Sequence, residues 1–313
     1  MSRHWTLQQA PRMDGRLALV TGATGGLGYQ TALGLAARGA RVMLTGRNVE
    51  KGLDALARLQ HDQPGADASF RVLDVASLES IATFAHELAQ ETDRLDVLVN
   101  NAGVMGTPHR LETRDGFELQ FGTNFLGPFA LTARLRPLVC AADGGGRVVT
   151  VASLAALKGQ IVFDDLQGRR RYAPFRAYGQ SKLADLILAL ELDRQARAHG
   201  WPLHSIAAHP GWARTDIATS RLTSRQGLQE RLTRVGAVWA FRFMGQSAAH
   251  GALPIEFAAM APEARDGGYY GPDGPGERRG HVAEAWIPPA ATNLTTARRL
   301  WQVAERLTGT ALS

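Results

Sequence analysis

Along about the first two hundred residues, the spacing of apolar and polar positions switches repeatedly between two periods. Leu17-Ala18-Leu19-Val20, Arg41-Val42-Met43-Leu44, Phe70-Arg71-Val72-Leu73, Leu95-Asp96-Val97-Leu98-Val99, Arg147-Val148-Val149-Thr150-Val151 and His204-Ser205-Ile206-Ala207-Ala208 are short apolar runs that predict strands. Segments 27–38, 78–91 and 178–198 predict helices between them. In the last, Leu183, Leu186, Ile187 and Leu190 recur at i, i+3, i+4 and i+7, which predicts one apolar face. Strand–helix alternation with short connections predicts a parallel sheet with helices on both faces, a three-layer α/β/α arrangement. After residue 211 the rhythm changes. Residues 212–246 mix apolar and arginine positions, and Leu228, Leu232, Val235 and Trp239 are spaced like one helix face. Gly267-Gly268, Gly271-Pro272 and Gly274-Pro275 predict turns, and a final helix from near Asn293 is expected to carry Leu300, Ala304 and Leu307 inward. No linker divides the chain, so residues 1–313 are expected to form a single domain. Its core spans about 14–211 and 247–272, followed by a C-terminal helix at about 293–308.

Composition adds little to this picture. Of 313 residues, 45% are hydrophobic and 20% charged, an ordinary globular balance with material for a large core. The net charge of +6 comes mainly from arginine, since Lys51, Lys158 and Lys182 are the lysines. The arginines are scattered, and the densest run, Arg169-Arg170-Arg171 beside Gly168, reads as a solvated loop, so no nucleic-acid partner is expected. Cys140 stands alone, which excludes an internal disulfide and a cysteine-based metal cluster. It reads as a small buried hydrophobe, and no metal is expected. The opening MSRHWTLQQAPRMDGR has no apolar signal-peptide core, and no stretch approaches the roughly 20 apolar residues of a membrane span. The expected location is the cytoplasm.

Chemistry enters at Thr21-Gly22-Ala23-Thr24-Gly25-Gly26-Leu27-Gly28, between the first strand and the first helix. A dinucleotide pyrophosphate is expected on unpaired N–H groups at such a helix start. Gly22 suits the tight turn, Gly26 a close backbone approach to phosphate, and Gly28 close packing of helix on strand. The layered sheet thereby becomes a Rossmann-type, doubly wound one. The second strand ends Leu44-Thr45-Gly46-Arg47-Asn48, with no carboxylate for a free ribose 2′-OH. Arg47 is available for a 2′-phosphate, and Thr24 offers a hydroxyl, so NADP(H) is expected rather than NAD(H).

Tyr178-Gly179-Gln180-Ser181-Lys182 puts a phenol and an ammonium at i, i+4 on one helix face. Free tyrosine titrates near 10, too high for efficient proton exchange at neutral pH, and a neighbouring ammonium favours its phenolate. No other tyrosine in the chain has a lysine four residues later.

Together with Asn100-Asn101-Ala102-Gly103 and Ser153, these motifs resemble the classical short-chain dehydrogenase/reductase family from about residue 14 to residue 272. Thr45-Gly46-Arg47-Asn48, Asp164-Asp165-Leu166-Gln167, Ala177-Tyr178-Gly179-Gln180-Ser181-Lys182-Leu183-Ala184 and His209-Pro210-Gly211 are similar to its retinol dehydrogenase-like and WW-domain-oxidoreductase-like branch. The resemblance implies Tyr178 as general acid or base, Lys182 as its partner on the nicotinamide ribose, Ser153 on the substrate oxygen, and Asn124 as anchor of a proton-relay water. It also implies Asp74 at the adenine edge, Asn101, Ala102 and Gly103 along the adenosine, and Pro210, Gly211 and Thr215 around the carboxamide. Leu27 and Val75 complete the expected cofactor wall. A homodimer or homotetramer is implied too.

Two features depart from the plain pattern. The glycine turn fits T-G-x-x-x-G-x-G, but through Gly22, Gly25 and Gly28 it also fits the spacing of the extended branch of epimerases and dehydratases. Ser153 lies 25 residues before Tyr178, a longer gap than usual, with Asp164–Arg171 as an insert. The substrate is expected to be a small-molecule carbonyl or alcohol. Trp212, Ile217, Leu222, Leu228, Val238, Trp239, Phe241, Phe243 and Met244, in a substrate-loop region at about 212–246, either close over an apolar compound or pack as core. Residues 234–243 also admit a membrane-surface reading, but the stretch is short and no membrane contact is expected. The leading reading is an NADP(H)-dependent oxidoreductase; a non-catalytic NADP(H)-binding sensor and an extended-branch epimerase or dehydratase remain as alternatives.

Overall fold

The computed structural model describes residues 4–213 and 246–312. Six strands occupy the predicted runs: β1 (Leu17–Val20), β2 (Arg41–Gly46), β3 (Ala68–Val72), β4 (Val97–Asn100), β5 (Gly146–Val151) and β6 (Leu203–Ala208). Pairing shifts some ends; β3 starts at Ala68 because that residue is in register with Val42 of β2. Two more strands follow, β7 (Tyr269–Pro272), parallel to β6, and β8 (Val282–Glu284), antiparallel to β7. The sheet order among the described residues is β3-β2-β1-β4-β5-β6-β7-β8. Winding therefore reverses between β1 and β4, which is where a doubly wound sheet opens a crevice at its carboxyl edge. All four positions of β1 and of β4 are buried, as strands covered on both faces require.

The helices are α1 (Gly26–Ala37), α2 (Val49–Asp62), α3 (Leu78–Glu91), α4 (Gly127–Cys140), α5 (Pro174–His199), α6 (Ala248–Met260) and α7 (Leu294–Thr308). Side-chain caps set several of their starts: Asn48, Ser77, Ser247 and Asn293 each accept a backbone N–H from the first turn. One apolar cluster joins the sheet to α1, α2 and α6, and a second joins it to α3, α4, α5 and α7. No helix among the described residues is long and apolar enough to cross a membrane.

Several expectations are corrected. α5 begins a turn earlier than predicted, and it has no single apolar face: residues 179–189 are all buried, while Leu190 is only half-buried. The cause is tertiary, since β5 and β6 lie on one side and α7 and the 3-10 turn Leu154–Lys158 on another. On α7, Leu300 and Ala304 are buried, but Leu307 is exposed and Ala297, Trp301 and Thr308 complete the inner stripe. Gly271-Pro272 is strand rather than turn, and Gly271 is glycine because a Cβ there would stand 1.9 Å from Nε2 of His209. Cys140, at the last position of α4, is half-buried rather than enclosed. The Arg169–Arg171 run is exposed, in agreement with a solvated loop. The predicted helix face at Leu228, Leu232, Val235 and Trp239 lies outside the described residues.

Candidate functional site

The carboxyl ends of β1 to β6 enclose two adjoining cavities. One of about 310 Å³ is lined by Gly22, Thr24, Gly26, Leu27, Gly28, Arg47, Asp74, Val75, Asn101, Ala102 and Gly103, all expected cofactor residues. The other, of about 250 Å³, is lined by Ser153, Tyr178, Lys182, Pro210, Gly211 and Trp212. Leu27, Asn101, Gly103 and Val104 border both, so the two form one continuous cleft. Thr215 and the expected pocket residues Ile217, Leu222, Leu228, Val238, Trp239, Phe241, Phe243 and Met244 lie outside the described residues.

Backbone builds the first cavity. Gly22 has φ +66°, and a Cβ there would lie 2.9 Å from Cα of Ala102. At Gly28 a Cβ would lie 2.4 Å from Nδ2 of Asn101 and 2.5 Å from the Gly22 carbonyl oxygen. Thr21 lashes the turn to the next loop: its Oγ1 accepts N–H from Asn101 at 2.9 Å and Ala102 at 3.0 Å, while its carbonyl accepts Nδ2 of Asn101 at 2.8 Å. The N-cap of α1 is Gly25, which provides no side-chain cap, so the first N–H groups of α1 face the cavity without one. At the far end stand the exposed Arg47 and Lys51. Asp74 is the acidic residue in this lining, and its Oδ1 already accepts N–H from Ala76 at 3.0 Å.

Side chains build the second. Tyr178 is half-buried on the first turns of α5, and Lys182 is buried one turn further on. The Lys182 ammonium donates to the Val151 carbonyl and to Oδ2 of Asp185, each at 2.8 Å. Burial pulls it toward losing its proton, but Asp185 and Tyr178 pull the other way and the net shift is upward. Ser153 caps the 3-10 turn, its Oγ accepting N–H from Ala155 at 3.2 Å, which leaves the hydroxyl proton for the cavity. The long insert before Tyr178 folds on itself, Asp165 accepting the N–H groups of Arg169, Arg170 and Arg171, and both Ser153 and Tyr178 still line one cavity.

Asn124 lies beside the cleft rather than in its lining. It sits in a π-helical turn, Gly122–Leu126, just before α4. Its amide clamps the strand-end loop: Oδ1 accepts Val104 N–H at 2.7 Å, and Nδ2 donates to the Val104 carbonyl at 3.0 Å and to Oγ of Ser181 at 2.9 Å. The wall of the second cavity at Pro210 and Gly211 is held similarly. His209 is fully buried, its Nδ1 accepts Gly211 N–H at 3.2 Å, and its Nε2 pairs with Glu277 at 3.0 Å.

With this geometry in place, comparison with known proteins is direct. The short chain dehydrogenase family profile matches residues 16–226. Retinol dehydrogenase 13 of Homo sapiens is 39% identical over 300 residues, covering 95% of this chain and 86% of that protein. Polyprenol dehydrogenase of Mus musculus is 39% identical over 307 residues, covering 96% and 85%. The crystal structure of an uncharacterised protein from Mycobacterium paratuberculosis superposes with a TM-score of 0.79 at 35% identity, covering 99% of each chain. The chain belongs to the short-chain dehydrogenase/reductase family. Its relatives place it in the retinol dehydrogenase-like branch, and it is a nicotinamide-dependent oxidoreductase of alcohols or carbonyls.

Some neighbours of this dehydrogenase cleft were not singled out from sequence. Lys51, in the first turn of α2, lines the first cavity with Arg47, which precedes the N-cap Asn48, so no helical spacing in the sequence links the two. Phe175 lines the second cavity yet is 76% exposed. Asp185 is three residues after Lys182, but its burial depends on elements far away in sequence. Thr21 ties the turn to the loop after β4, a contact that its place in the glycine motif does not signal.

Proposed function

We propose that this chain transfers a hydride between NADP(H) and an apolar alcohol or carbonyl compound, with Tyr178 moving the accompanying proton. The observation that carries this reading is the meeting of Tyr178, Ser153 and Lys182 in one cavity that opens directly into the glycine-lined one. The residues fit a dinucleotide. At Gly22 and Gly28 any side chain would strike the opposing wall, and α1 presents its uncapped start between them. Two cations, Arg47 and Lys51, stand after β2 where a carboxylate would favour a free ribose hydroxyl, which supports a 2′-phosphate.

When bound, the nicotinamide supplies the hydride to a carbonyl carbon or takes it from an alcohol carbon. In reduction the Tyr178 hydroxyl gives its proton to the substrate oxygen; in oxidation the phenolate takes it back. Ser153 donates a hydrogen bond to the same oxygen and stabilises charge developing there. Lys182 supplies positive charge beside the phenol and an N–H for the ribose. Asn124, through Val104, holds the loop that separates the two cavities. Leu154, Ala155, Phe175 and Trp212 face the substrate side, which supports an apolar compound. The names of two relatives, retinol and polyprenol dehydrogenase, point the same way.

A panel of apolar and polar carbonyls and alcohols, followed by nicotinamide absorbance, tests the reading. NADPH should outperform NADH, and apolar substrates should have the higher kcat/KM. Tyr178→Phe should still bind NADPH but lose at least about a hundredfold in rate. Equal rates for Tyr178→Phe and the parent would remove the phenol from the chemistry.

A further inference from the structure

An ammonium has three N–H donors. Lys182 commits one to the Val151 carbonyl and one to Asp185, which leaves one for the cavity it lines with Tyr178. Asp185 lines neither cavity, is only 1% exposed, and has no hydrogen-bond partner for Oδ1. As a contributor to stability it is poorly placed. Removing both charges from water offsets their attraction, and apolar replacements of such pairs are often neutral or stabilising. Its geometry makes chemical sense only through the lysine.

We propose that Asp185 is a positioning residue that, opposite the Val151 carbonyl, holds the Lys182 ammonium charged and in one place, so that its remaining N–H serves the Tyr178 side of the cleft. This inference rests on the reading of Tyr178 and Lys182 given above. Other charged groups approach α5 from every side but are engaged elsewhere or lie at the surface. On α5 itself, Glu191 pairs with Arg194. From β5, Arg147 donates to the carbonyls of Ala258 and Ala261, and from β6, His204 pairs with Asp266. Glu118, before α4, accepts the N–H groups of Gln120 and Phe121. Lys158 on the 3-10 turn is exposed; α7 brings Arg298, Arg299, Glu305 and Arg306. Burial pushes the Asp185 carboxyl up to about 7 against the pull of Lys182, while Asp185 and Tyr178 together outweigh burial at Lys182 and keep it charged.

The test compares the parent enzyme, Asp185→Asn, Asp185→Leu and Tyr178→Phe in the reductive direction from neutral to alkaline pH, with circular dichroism on each. Asp185→Asn keeps the shape and an acceptor oxygen, so it should retain most of kcat at neutral pH with KM unchanged. Without the negative charge, Lys182 loses its proton more readily, so the alkaline fall in kcat should move about one pH unit or more lower. Asp185→Leu removes the acceptor as well and should lower kcat about tenfold or more. An alkaline limb that stays in place in Asp185→Asn, while Tyr178→Phe is inactive, overturns the role of Asp185 alone. Retained activity in Tyr178→Phe overturns the reading of the site and this inference together. Should Asp185→Leu fail to fold, the isosteric Asp185→Asn profile decides by itself.

Discussion

Two carboxyl side chains buried on opposite faces of the sheet, Asp185 and Glu256, differ in what stands beside them. Asp185, on α5, meets the ammonium of Lys182 at 2.8 Å. Glu256, on α6, is 4% exposed, and burial alone pushes its carboxyl up to about 8. It lies against α1, where a Cβ on Gly34 would stand 2.3 Å from its Oε1. Burial pushes the Asp185 carboxyl up as well, to about 7, but the Lys182 ammonium pulls against that shift and favours the charged form that holds it. The same contrast runs through the cleft. The end over α1 is shaped by glycines and backbone N–H groups, and the end over α5 by side chains with protons to move. Damage to the first should therefore appear as lost binding, and damage to the second as lost rate.

The sharpest way to break that division is Gly28→Val. Its side chain would meet Asn101 and the Gly22 carbonyl, so NADPH and NADH binding should both collapse and stability should fall by about 1–3 kcal/mol. Nucleotide titration and thermal melting read these two effects, and undiminished binding of both nucleotides would show that the glycine end is not the phosphate seat. A smaller, selective effect is expected from Arg47→Ala combined with Lys51→Ala. Losing charge-assisted contacts should weaken NADPH by about tenfold or more and leave NADH nearly unchanged; equal weakening of both would separate these cations from cofactor choice.

The mildest test is Glu256→Gln, which touches no part of the cleft. The folded-state value of Glu256 lies above that of an unfolded carboxyl, so its contribution to stability is full below about pH 4 and is lost as pH rises through about 8. Glutamine has no such slope. The melting temperature of Glu256→Gln should gain on the parent by about a few degrees between roughly pH 5 and pH 8. A constant gap across that range would mean that Glu256 is already ionised in the fold.

Much of the cleft was legible because its signals are local. A glycine turn sits between a strand and a helix within eight residues, and Tyr178 and Lys182 share a face through the helix repeat alone. Strand runs were equally plain where both faces are buried, as in β1 and β4. What escaped depends on partners distant in sequence. Gly271 looks like a turn because the ring of His209, in the loop just after β6, cannot be seen from its neighbours. Leu307 looked buried because it is apolar, whereas the stripe that α7 presents to α4 and α5 runs through Trp301 instead.

By itself, then, the order of residues determined the alternation of strands and helices, the phosphate turn, and the spacing of phenol and ammonium, because covalent neighbours and helical periodicity are short-range. Only the tertiary structure decided that residues 179–189 of α5 are enclosed on all sides, that Asn124 clamps Val104, and that the Lys182–Asp185 pair is buried while Glu256 is buried with no cation partner among the described residues. Burial depends on which surfaces meet, and the chain brings those surfaces together from positions well separated in sequence.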